Sequence, residues 1–254
     1  MNKVYTVTFG DVAENHARMQ QIGTLANAGY SVEKLRQLAE TLSAKGVVCE
    51  LIDLAQKWEG EGEVVEAAVL VIRKGVQFIL GEDDTSDVMA EHDVLDMDQH
   101  ALMRGRVVNK HARWNLCFDD NDQEPDYAAG KGRIVAYRHI PLTHRIRNAV
   151  QQWMGDDQLK GEANYYYDVE KCGIGYHGDS ERKKVVAFRM GGGMSLYYQW
   201  FQNSEPVGKR ICVELEDGDM YAMSEKAVGF DWHKKIIPTL RHATGCDKYT
   251  VIVK

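Results

Sequence analysis

The sequence predicts an α+β fold: a small N-terminal α/β unit followed by a larger, mostly β sandwich or jelly-roll barrel. Three observations predict it. From residue 162 onward, short strand-like runs are separated by turn residues at regular intervals, as in an all-β sandwich. Before residue 90, strand-like runs mix with one clear helical repeat. At 254 residues, with 44% hydrophobic and 27% charged residues, the chain suits one large domain, or one of roughly 150 residues plus a smaller one.

Taken in order, residues 1–95 form the expected N-terminal unit. Val4 to Phe9 alternates like a strand. Residues Gly10 to His16 read as a turn into a short helix. Asp11, Glu14 and His16 there read as a polar helix start with a solvated histidine, and no chemistry is assigned to them. Ser31 is a candidate N-cap, Val32, Leu35, Leu38, Ala39 and Leu42 follow helical spacing, and Gly46 is a stop signal. Val47–Leu51, Ala67–Ile72 and Val76–Leu80 read as strands. The acidic stretch Glu82–Asp98 reads as a linker or exposed helix, with a domain boundary between residues 82 and 100.

The second domain is expected over residues 100–254. It begins with a basic, amide and aromatic mixture: Arg104, Arg106, Asn109, Lys110, His111, Arg113, Trp114 and Asn115. Such a mixture suits either a phosphate backbone and a stacked base or a basic strand face balancing the preceding acids. Thr143–Met154 is an amphipathic helix. Eight strands are expected after it: 163–169, 173–177, 184–190, 195–201, 210–215, 220–223, 236–242 and 248–253. Turns at Gly191-Gly192-Gly193, Glu205–Gly208, Asp217–Asp219 and Thr244–Asp247 separate the later ones.

The composition narrows the class. The net charge of −7 argues against a surface that is basic all over, while a local basic groove is compatible with it. Five scattered cysteines without a Cys-x-x-Cys spacing suggest neither a disulfide framework nor a zinc knuckle. A soluble, intracellular protein, cytoplasmic or nuclear, is expected. The start does not read as a signal peptide, and no apolar run reaches the roughly 18 residues of a membrane span.

The chemistry centres on Gly173–Arg182, which holds His177 and Asp179 two residues apart. On a strand, such residues share a face, so an imidazole and a carboxylate can converge on one metal. Two His and one carboxylate with open positions suit non-haem Fe(II). His233 and His242 both qualify as the third ligand. A hairpin of 236–242 with 248–253 favours His242, because it sets His242 nearly opposite Lys248. A tight turn after His233 would leave Lys248 roughly 30 Å along the strand.

On these residues the C-terminal half, sharpest over 162–254, resembles the AlkB-like Fe(II)/2-oxoglutarate dioxygenases. Asn164-Tyr165-Tyr166 resembles the family's Asn-x-Tyr strand. Ile174 to Glu181 is similar to its Ile-Gly-x-His-x-Asp-x-Glu segment. Gly218 to Met223 resembles its Gly-Asp-x-x-x-Met turn, and Lys248 to Lys254 has the spacing of its final Arg-x5-Arg strand, with both arginines replaced by lysines. The resemblance implies a double-stranded β-helix (a jelly roll), with Fe(II) held by His177, Asp179 and His242, or by His233 in place of His242. It implies 2-oxoglutarate and O2 as co-substrates, with Asn164, Tyr166, Lys248 and Thr250 around 2-oxoglutarate; a lysine would meet its far carboxylate as a point charge rather than a fork. Arg189, Glu181 and Tyr176 would flank the pocket, with Glu181 and Tyr176 meeting the substrate. Glu181 has the equal option of a salt bridge to Arg182 or Lys183. The tyrosine clusters 165–167 and 197–201 offer stacking surfaces, about half of them core by alternation.

The implied activity is oxidative demethylation or hydroxylation of alkylated nucleic-acid bases, flipped out or in a single strand. The acidic total charge speaks against nucleic acid. A hydroxylase of a protein side chain or small molecule, and a non-catalytic binding module on the same barrel, are the alternatives.

Overall fold

The computed structural model describes residues 2–252. Strand β1 (Val4–Gly10) is followed by β2 (Val12–Glu14), β3 (Gln21–Gly23), helix α1 (Val32–Ser43), β4 (Cys49–Asp53), β5 (Ala68–Ile72), α2 (Gly75–Leu80) and α3 (Ser86–Asp93). Then come β6 (His100–Met103), β7 (Arg106–Asn109), β8 (Trp114–Asp119), β9 (Ile134–Ala136) and α4 (Pro141–Met154). The remainder is β10 (Lys160–Tyr166), β11 (Gly173–His177), β12 (Val185–Gly191), β13 (Leu196–Gln202), β14 (Glu205–Val213), β15 (Met220–Met223), α5 (Glu225–Val228), β16 (Thr239–Gly245) and α6 (Asp247–Thr250). The fold is mixed α+β and mostly sheet.

Two sheets organise it. The larger has the order β4-β5-β15-β12-β1-β10-β8-β9, and the smaller the order β11-β16-β13-β14. From β10 onward the chain passes back and forth between them: β10, β12 and β15 join the large sheet, while β11, β13, β14 and β16 join the small one. Strand alternation then sorts the side chains. Tyr5, Val7 and Phe9 of β1, with Val186, Phe188 and Met190 of β12, face the core under α1–α4. Val185, Ala187 and Tyr221 face Leu196, Tyr198, Trp200 and Leu240 of the small sheet. Phe9, Phe118 and Phe188 are fully buried; removing each such ring from water contributes about 2 kcal/mol.

The expected boundary between residues 82 and 100 does not divide the sheet. Strand β1 pairs with both β10 and β12, and β5 pairs with β15. One core holds Leu35 of α1 beside Ile146 of α4. Periodicity reveals that a strand is half-buried, but not which strand it will pair with.

Four local expectations are corrected. Residues Gly10–His16 are not a helix: Gly10 ends β1, Val12–Glu14 form β2 and a turn follows. Val76–Leu80 lies in helix α2, where the buried Val76 and Leu80 stand four apart at helical spacing. Glu205–Gly208 belongs to β14; the turn is Asn203-Ser204, both at positive φ, joining β13 and β14 as a two-residue hairpin. The strand expected at 248–253 is not formed among the described residues: Asp247–Thr250 is helix α6, and Val253 and Lys254 lie outside the described residues.

Candidate metal centre and its cavity

His177 ends β11, and His242 is its direct cross-strand partner on β16. A bulge produces this pairing. Ile174 faces Thr244 and His177 faces His242, so three steps along β11 match two along β16. The two rings lie 4.5 Å apart between centroids. His177 Nδ1 lies 2.8 Å from the Gly175 carbonyl, which leaves Nε2 free to ligate.

Asp179 reaches the same point from the following loop. Its Oδ1 lies 3.5 Å from His177 Nε2 and 3.5 Å from His242 Nε2. The residue between, Gly178, permits this. A Cβ there would meet the Gly229 carbonyl at 2.0 Å, so only glycine lets the loop lie against the end of α5. The Asp179 amide then donates to the Val228 carbonyl at 3.0 Å. Ligand atoms of His177, Asp179 and His242 all lie within 4.8 Å of one another. This donor set, two imidazoles and a carboxylate from one side, suits a divalent transition metal with open positions.

The surroundings favour the ligating forms. Burial works to raise the Asp179 pKa, but His177, His242 and then the Arg182 charge outweigh it and hold the carboxyl well below its ordinary value. Burial, and then the neighbouring His177, push the His242 pKa down and keep its imidazole neutral. Arg182 is almost wholly buried. It lies 3.6 Å from Asp179 Oδ2, 2.5 Å from Glu162 Oε2 and 2.9 Å from Glu181 Oε1. It orients Asp179 while two further carboxylates balance its charge.

All three candidate ligands line a cavity of about 590 Å³ between the sheets. Its floor is the large sheet: Thr6 and Thr8 of β1, Glu162, Asn164 and Tyr166 of β10, Arg189 of β12 and Tyr221 of β15. Its rim includes Glu14 at the end of β2 and His16 and Arg18 in the turn between β2 and β3. Burial, and then the Glu181 carboxylate, push Glu14 up to about 7. Burial and then Asp179 raise Glu181 as well.

The chain is 47% identical over 253 residues to an uncharacterized protein of Acanthamoeba polyphaga mimivirus, spanning 98% of each chain. This chain belongs to the family of that mimivirus protein. No family model matches it. Among the described residues, no helix is long and apolar enough to cross a membrane.

The structure brings some expected residues together and separates others. His177, Asp179, His242, Asn164, Tyr166 and Glu181 all line the cavity. His233 lies at its exposed rim, outside the group of converging ligand atoms. Lys248 does not line it. That side chain is exposed on α6, over the ring of Tyr249, because the strand that would have turned it inward is a helical turn. Thr250 is buried on α6, and its hydroxyl donates to the Cys246 carbonyl. Tyr176 is also misplaced by the expectation: the bulge that aims His177 inward leaves Tyr176 with its hydroxyl 3.3 Å from the Thr250 carbonyl. Of the basic stretch, Arg104 and Arg106 sit exposed on the β6–β7 hairpin. Arg113 lines the cavity, donating to Asn164 Oδ1 at 2.6 Å, and Lys110 turns inward onto Asn15 Oδ1 at 2.6 Å. Tyr165 stacks on Tyr5, while Tyr198 and Trp200 are core.

Sequence reasoning missed Thr6, Thr8, Glu14 and Arg18. They lie more than 150 residues from His177 in sequence and reach the site because β1 lies between β10 and β12.

Proposed function

We propose that this protein is an Fe(II)- and 2-oxoglutarate-dependent dioxygenase, AlkB-like, acting on N-alkylated bases. The observation that carries the reading is the convergence of His177, Asp179 and His242 on one wall of a cavity between two sheets. The winding of β10–β16 supports a jelly roll. In it, β1, between β10 and β12, takes the place expected of the strand at 248–253.

When bound, iron and 2-oxoglutarate supply oxidation of a substrate C–H bond by O2, with release of succinate and CO2. The chain's own groups do the rest. Gly175 fixes the His177 ring, and Arg182 holds Asp179 in place. Tyr198, fully buried against His242, shields that ligand from water. Glu14 on the rim and Glu181 near the candidate ligands both line the cavity and suit a substrate group carrying positive charge on nitrogen. A base alkylated at a ring nitrogen that bore a lone pair, such as N1 of adenine or N3 of cytosine, has that charge, and Arg18, Arg104, Arg106 and Arg113 offer partners for its phosphates.

The same carboxylates favour a second reading, a methylated lysine or arginine side chain of a protein. Protein loaded with Fe(II) and 2-oxoglutarate separates the two by succinate and formaldehyde release on methylated oligonucleotides and on methylated peptides. Turnover on the oligonucleotides, lost in His177→Ala, is expected. No succinate with any substrate, or full turnover by His177→Ala, would overturn the proposal.

A further inference from the structure

Arg189 is fully buried, and none of its three guanidinium nitrogens has a hydrogen-bond partner. Such a cation is costly to bury alone, and arginine does not shed its charge. The other buried arginine of the cavity, Arg182, is neutralised by Glu162 and Glu181. Arg189 has no such partner. The carboxylate whose field reaches it, Asp219, is already held by Arg73 at 2.7 Å and by the Lys74 amide at 3.0 Å.

The surroundings of Arg189 are built for an anion. On the floor of the cavity Arg189 stands opposite Thr6 of β1, and Thr6 stands opposite Asn164 of β10. The three side chains form a row across neighbouring strands, all facing the cavity. The Thr6 hydroxyl is also buried and without a partner. Tyr166 and Tyr221 flank the row; the Tyr221 phenol is the polar side chain nearest in reach of the guanidinium, and a neutral phenol leaves its charge unbalanced. Tyr221, Arg189 and Asp179 line the same cavity, so the unpartnered cation and the metal ligands open onto one space. A two-pronged guanidinium with a hydroxyl beside it matches one carboxylate of an extended diacid whose other end reaches the metal.

We infer that Arg189, with Thr6, holds the far carboxylate of the 2-oxoglutarate co-substrate, the task expected of Lys248 at the C-terminus. The inference rests on the proposed dioxygenase reading. It moves the anchor from the end of the chain to β12 and β1. Lys248 is exposed and does not line the cavity, so it leaves co-substrate binding untouched.

Anaerobic calorimetric titration tests this. Fe(II)-loaded protein is titrated with 2-oxoglutarate and with 2-oxopentanoate, which lacks the far carboxylate. Metal-free protein is titrated with glutarate, which has both carboxylates and no 2-oxo group. Arg189→Met is expected to weaken 2-oxoglutarate by about 100-fold, equivalent to about 2.8 kcal/mol. Fe(II) affinity and 2-oxopentanoate binding should be unchanged. Arg189→Lys should recover part of the affinity, Thr6→Val should lose several-fold, and Lys248→Ala should match wild type. The lysine and valine variants carry the test if the methionine variant misfolds. Undiminished 2-oxoglutarate binding in Arg189→Lys and Thr6→Val, or loss of binding in Lys248→Ala, would overturn the inference. If that happens while wild-type protein still makes succinate, the dioxygenase reading survives. If instead wild type binds glutarate through Arg189 but Fe(II) adds nothing for 2-oxoglutarate, the anion cradle stands and the dioxygenase reading falls.

Discussion

Glu14→Gln gives a sharp test of the cavity electrostatics. Glu14 is 8% exposed on the rim, its Oε1 accepting the Arg18 amide at 2.6 Å. Burial first, and then the Glu181 carboxylate, raise it from 4.5 to about 7. A carboxyl with a raised folded pKa binds its proton more tightly when folded. Its contribution to stability is therefore complete below 4.5, falls as pH rises from 4.5 to 7, and is lost above that. At 1.36 kcal/mol per pH unit the loss is about 3 kcal/mol. For a chain of this size, about 2–4 °C per kcal/mol makes it roughly 6–12 °C in melting temperature. Glutamine keeps the acceptor for Arg18 and cannot ionise. Melting of metal-free wild type and Glu14→Gln, followed by circular dichroism from pH 5 to pH 8, should show the variant gaining on wild type as pH rises. A difference that stays constant with pH, or shrinks toward pH 8, would refute the reasoning.

Two further outcomes follow from the geometry of the metal centre. Gly178→Ala drives a methyl into the Gly229 carbonyl; it should cost about 1–3 kcal/mol of stability in melts, and the displaced Asp179 should lower metal affinity more than about 10-fold in titrations. Equal metal affinity would show that the loop tolerates the methyl. His242→Ala should lower metal affinity by more than about 100-fold, beyond the 10–100-fold of a lost outer partner, whereas His233→Ala should change it by less than about threefold. Metal content after gel filtration checks both, and loss of metal in His233→Ala instead would put the wrong histidine in the centre.

The sequence by itself singled out His177 and Asp179, because a His-x-Asp spacing is local and one turn of chain can hold both. Its strand and helix periodicities placed α1, α4 and most strands of the second half, since burial alternates with the backbone whatever the partner. Asn164 and Tyr166 were singled out by the resemblance of their strand to an Asn-x-Tyr motif, and the strand's alternation then places both on one face. Tertiary structure alone decided the rest. It set His242 opposite His177 through a one-residue bulge, which no periodicity announces and which turned Tyr176 away. Helix α6 replaced the expected last strand and left Lys248 in solvent. The first strand of the chain took a central place in the sheet, so Thr6 met Arg189 and Asn164, and Glu14 reached the rim. The physical reason is that pairing energy between strands depends on register and neighbours, and these are properties of the folded sheet rather than of any one segment. The His177–Gly178–Asp179 stretch thus supplied two of three converging ligands; His242 and Arg189 were candidates in the sequence, and the pairing of β16 with β11 and of β12 with β1 set them beside His177 and Thr6.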